Sequence, residues 1–78
     1  MRDHWLVCNF VKGMFSDELV VEYRDKSFFI LKQFVETMQH GRARVRVRVF
    51  RDSDNTWALL PTEDNATIAV EPKDLLAV

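Results

Sequence analysis

Four arginines occupy alternate positions in the stretch GRARVRVRVF, at Arg42, Arg44, Arg46 and Arg48. In an extended chain, alternate side chains share a face at about 6.6 Å spacing, so the four guanidinium groups make a row of about 20 Å. Such a row either pairs with carboxylates on neighbouring strands, as an internal charge ladder, or is held out to an external anion. Burying four guanidinium groups without partners is prohibitive, so Ala43, Val45, Val47 and Val49 are the expected core face and the arginines point outward.

Repulsion along the row calls for negative charge close by, because the spacing lies within a Debye length of about 8 Å at physiological salt. The chain holds twelve acidic residues against eleven basic ones, for a net charge of −1. Glu18, Glu22 and Glu71 are candidate partners, and an internal ladder is favoured over a polyanion site. A nucleic-acid face also needs aromatic platforms, since phosphate contacts only position a strand while stacking holds its bases. Phe50 continues the arginine face and is the one aromatic that alternation sends outward on this strand.

Met14 and Phe15, in the loop KGMFSDE, are the other candidate binding residues. Such a pair usually folds under its loop as a lid on one end of a barrel; left exposed, it forms a binding tip. No catalytic constellation is expected. His4 and Cys8 share a strand face but lie about 13 Å apart along it, too far for an imidazole and thiolate pair. His40 precedes Gly41 at the end of a predicted helix, where a partly positive ring suits the helix dipole. DSDN opens like a calcium loop but lacks a glycine at the sixth position, and two histidines with one cysteine make no zinc spacing. No metal, cofactor or catalysis is therefore expected.

The elements that must position these residues are short. Alternation of apolar and polar side chains predicts strands over 4–12, 18–24, 27–32, 42–51, 56–61 and 67–71. Phe34, Val35 and Met38 fall at helical spacing ahead of Gly41, which predicts one or two helical turns over 33–40. PKDLL reads as a tight terminal turn over 72–76, opened by Pro72. Register across DSDN decides which apolar side chains face solvent, because a slip of one residue exchanges the two faces. The register with Arg51 opposite Trp57 is expected, since it buries Trp57 and Leu59. The alternative, with Arg51 opposite Thr56, sets Phe50 and Trp57 side by side in solvent as a docking patch.

Six short strands in 78 residues call for a closed or nearly closed sheet, because a small open one leaves long edges exposed. The expected fold is mainly β: a small barrel of five to six antiparallel strands, forming one domain over 1–78. The order of elements resembles the SH3-like barrels, in layout only and over most of the chain. The departures from that layout are a terminal turn placed after the last strand and an extra helix in the middle. VKGMFSDE and the LLP preceding the last strand also resemble short, uncharacterised bacterial proteins, a resemblance that implies no activity.

A single cysteine excludes an intrachain disulfide and suits a reducing compartment. The longest apolar run near the start, Trp5 to Cys8, is too short for a signal peptide or a membrane span, so a cytoplasmic location is expected. The expected function is a non-enzymatic interaction module with a protein partner, self-association included. Nucleic acid bound on the arginine face is the alternative, and no membrane partner is expected.

Overall fold

β1 (Arg2–Lys12) and β5 (Arg42–Asp52), eleven residues each, run antiparallel at the centre of the molecule. Both alternate strictly: Leu6 and Cys8 face inward from β1, and Ala43, Val45 and Val47 from β5. The computed structural model describes residues 1–78. Each central strand is long enough to serve two shorter neighbours on its outer edge. β2 (Glu18–Tyr23) pairs with the second half of β1 and β8 (Leu75–Ala77) with its first half. β4 (Val35–Thr37) and β6 (Asn55–Leu59) divide the outer edge of β5 in the same way.

β3 (Lys26–Leu31) extends the sheet beyond β2, and β7 (Thr67–Ala69) extends it beyond β6. The path β3-β2-β1-β5-β6-β7 is antiparallel throughout and curls into a half-barrel whose ends are β3 and β7. Twelve buried residues from both arms fill its concave side, with Leu6, Val45, Val47, Ile30 and Leu60 almost wholly removed from water. At 25 cal/mol per Å² of apolar surface, a fully buried leucine or valine contributes about 1.5–3 kcal/mol, so these few side chains carry much of the fold.

Three expectations are corrected. No helix spans 33–40; a 3-10 turn over Lys32–Phe34 leads into β4, where Glu36 lies opposite Arg44 and Val35 opposite Val45. Val35 and Thr37 are β-branched, and an available edge on β5 outweighs a weak helical spacing. Val35 packs against the core while Met38 is exposed, so the two share no helical face. The terminal turn opened by Pro72 is present as a 3-10 turn over Pro72–Asp74, but it does not run on to 76: Leu75 already belongs to β8, opposite Leu6.

The third correction is the DSDN hairpin. Arg51 lies opposite Thr56, Phe50 opposite Trp57 and Arg48 opposite Leu59, so Thr56, Ala58 and Leu60 face the core instead of Trp57 and Leu59. Two physical reasons favour this register. Ser53 takes a left-handed backbone angle, φ 56°, which closes a two-residue turn with Asp52 opposite Asn55. The interior is also narrow: Ala43 and Ala58 are fully buried there, and an indole in place of Ala58 would overfill it.

Candidate functional site

The outer face of β1 and β5 carries the arginine row. Trp5 lies opposite Arg46, and its ring is covered by two guanidinium groups, Arg44 at 4.4 Å and Arg46 at 5.6 Å from the ring centroid. Arg44 donates from Nε and one terminal nitrogen to Glu36 Oε1, at 3.0 and 2.6 Å. Arg46 donates to Asp3 Oδ2 at 3.1 Å, a diagonal contact, since Asp3 lies opposite Arg48. The inner half of the row is therefore an internal ladder, but its acids are Glu36 and Asp3. None of Glu18, Glu22 and Glu71 pairs with the row; Glu71 stands 3.8 Å from Arg24. Arg42 and Arg48, at the two ends, make no ion pair within 4.0 Å and stay exposed.

Phe50 continues this face, as alternation requires, and stands half-buried beside Trp57. Arg42, Arg44, Arg46, Arg48 and Phe50 thus share one surface with Trp5, Trp57 and Leu59. Trp5 was not singled out by the sequence, because its place under Arg44 and Arg46 depends on the pairing of β1 with β5. Glu36 was hidden by the helical spacing of its neighbours.

The β1–β2 loop does not fold Met14 and Phe15 under as a lid: Met14 is 88% exposed and Phe15 66%. The outer face of the hairpin that carries them and of β3 beside it presents a row of three apolar side chains, Val11 opposite Val20 and Val20 opposite Phe29. Val11 is 50% exposed, Phe29 61% and the neighbouring Leu31 43%. Gly13 lets this hairpin close tightly, for a Cβ there would stand 2.8 Å from Cγ of Glu18 and 3.0 Å from its carbonyl oxygen.

A cavity of about 510 Å³ is lined by Arg2, His4, Arg51 and Thr56 together with Val49 and Leu75. No carboxylate lines it. Tyr23 is buried, and its hydroxyl donates to Asp74 and accepts from the Glu71 backbone.

Cys8 is buried, its Sγ donates to the Ala43 carbonyl at 3.6 Å, and burial pushes the thiol up from 9.0 to about 12. A thiol held protonated at neutral pH is no nucleophile. His40 sits at φ 62° in the turn between β4 and β5, beside Gly41 at φ 70°, and has no helix dipole to meet. No three His, Cys, Asp or Glu side chains are grouped to hold a metal ion, and no helix is long and apolar enough to cross a membrane.

The fold defines the class: a small, mainly β, antiparallel half-barrel. No protein-family model matches the chain, and neither a curated protein nor a solved structure does.

Proposed function

We propose that the protein is a non-enzymatic interaction module that docks a partner protein through the β1–β2 hairpin. The observation that carries this is the exposure of Met14 and Phe15 at the tip, on a hairpin whose strands also bear Val11 and Val20 of the outer apolar row. A small chain gains stability by burying such side chains, and large apolar patches left in water mark surfaces that another molecule covers. The resemblance of the element order to the SH3-like barrels is in keeping with the same reading, and the lone buried cysteine suits a reducing, cytoplasmic setting.

A photo-crosslinking phenylalanine analogue placed at Phe15 tests the proposal in cells. A discrete protein adduct is expected from position 15 and none from Thr67, which is exposed on β7. Equal labelling from both positions, or none from either, overturns it.

Nucleic acid is the second reading, favoured by one observation: the unpaired ends of the row, Arg42 and Arg48, share a face with Trp5, Phe50 and Trp57. Against it stand Glu36 and Asp3, which already occupy the two central arginines. Labelled single-stranded nucleic acid at moderate salt is expected not to bind. A complex of about 1 μM or tighter that Arg42→Gln with Arg48→Gln abolishes would replace the protein-docking proposal.

A further inference from the structure

The half-barrel is open because β3 and β7 end the sheet path without meeting. β3 pairs only with β2, through a two-residue turn at Arg24 and Asp25. In such a hairpin the closing pair, here Tyr23 and Lys26, exchanges both backbone bonds, and hydrogen-bonded pairs then recur at every second position. Val21 with Phe28 and Leu19 with Ile30 continue that series. The N–H and C=O groups of Ser27, Phe29 and Leu31 therefore point away from β2, into the opening. None of the nine backbone bonds made outside the ladders involves them.

Across the opening stands the 61–65 segment. Two cavities of about 490 and 600 Å³ lie between it and β3, and both are lined by Phe29, Thr62 and Glu63. The remaining walls combine apolar Phe34 and Pro61 with acidic Glu18 and Asp64 and the neutral polar Ser27 and Asn65. No lysine, arginine or histidine lines either cavity, and none of the three carboxylates makes an ion pair within 4.0 Å.

We propose that this opening is a strand-addition site: an extended segment of a partner protein, apolar with basic side chains at its middle, pairs with the free edge of β3. The backbone edge supplies affinity, Phe29 and Leu31 supply apolar contact, and Glu18, Glu63 and Asp64 select positive charge. The proposal rests on the interaction-module reading above and names the chemistry of its partner.

Two features support an added strand from another protein over a second copy of this chain. SFFIL is uncharged, lacks proline and has high β-propensity, and such a segment left as a bare edge invites uncontrolled pairing unless a partner covers it. Lysines bracket it at positions 26 and 32, and a two-fold antiparallel pairing centred on Phe29 would set Lys26 against Lys32 of the other copy at both ends. Like charges directly opposed across strands are destabilising, so the edge is guarded against itself.

The test uses the full chain, labelled with nitrogen-15, and three synthetic blocked peptides. The first alternates valine and lysine over seven residues, the second replaces lysine by glutamate, and the third is the lysine peptide methylated at alternate backbone nitrogens. The lysine peptide is expected to shift the amides of Ser27, Phe29 and Leu31 saturably, with a Kd of about 1 mM or below. The glutamate and methylated peptides, and the lysine peptide on Glu63→Lys, are each expected to bind at least about tenfold more weakly.

Equal binding of the methylated peptide overturns strand pairing, and equal binding of the glutamate peptide overturns the charge selection. Shifts that instead follow protein concentration without peptide assign the edge to a second copy and overturn the proposal. Peptide pairing without an adduct from position 15 would sink the apolar tip and leave the edge site standing. An adduct from position 15 with no peptide pairing would do the reverse.

Discussion

The hydroxyl of Tyr23 donates to Oδ2 of Asp74 at 2.6 Å, joining the end of β2 to the 3-10 turn 51 residues later in the chain. The same oxygen accepts the backbone N–H of Glu71 at 3.0 Å. These two bonds tie β2 to the turn that delivers β8 to β1. Tyr23→Phe keeps the ring and leaves the Glu71 N–H without its partner, so it is expected to cost about 1–3 kcal/mol, read as a lower urea midpoint. Arg24→Gln removes exposed contacts, the ion pairs at 3.6 and 3.8 Å and the guanidinium 5.5 Å from the Tyr23 ring centroid, and should shift that midpoint far less.

Replacing Arg44 and Arg46 together by glutamine is expected to lower stability by about 1 kcal/mol or less, because both ion pairs are solvent-exposed. The loss should shrink as salt rises. Trp5 reports the change directly: with both guanidinium groups gone from its face, its fluorescence should move. An unchanged Trp5 spectrum would show that the stack does not form in solution.

Cys8 makes stability depend on alkaline pH. Its folded thiol titrates at about 12 against an ordinary 9.0, so below pH 9 both folded and unfolded chains hold the proton and the full stability is present. As pH rises from 9 toward 12 the unfolded chain ionises first, and stability falls by about 1.4 kcal/mol per pH unit from this group. Urea midpoints of the protein should therefore drop over that window more steeply than those of Cys8→Ala. At neutral pH, a thiol reagent should label the native protein only at the rate of unfolding.

Gly13→Ala would push a methyl group to 2.8 Å from Glu18 and 3.0 Å from its carbonyl oxygen, so the β1–β2 hairpin must open to admit it. A cost of about 1–3 kcal/mol is expected, by the usual penalty for overpacking. Gly41 has nothing within 4 Å, but its φ of 70° makes Gly41→Ala costly through the backbone instead. Thermal unfolding of the two variants checks both: each should melt lower, and only Gly13→Ala should disturb the amides of the Met14 and Phe15 loop.

Alternation along the chain is enough to place most of this molecule. Each of the six expected strands is present, the core face of Val45 and Val47 is the buried one, and the turn at Pro72 lies where proline opens it. These features are local, since a period of two and a fixed φ belong to a few consecutive residues. The acids that meet the arginines, the strand that replaces the helix over 33–40, and the face taken by Trp57 depend on which distant segments lie side by side. Glu36 reaches Arg44 only because β4 takes a free stretch of the β5 edge. Trp57 faces outward because a two-residue turn and a narrow interior select one register from two that alternation treats alike. Pairing and volume are properties of the assembled barrel, and no stretch of sequence taken alone contains them.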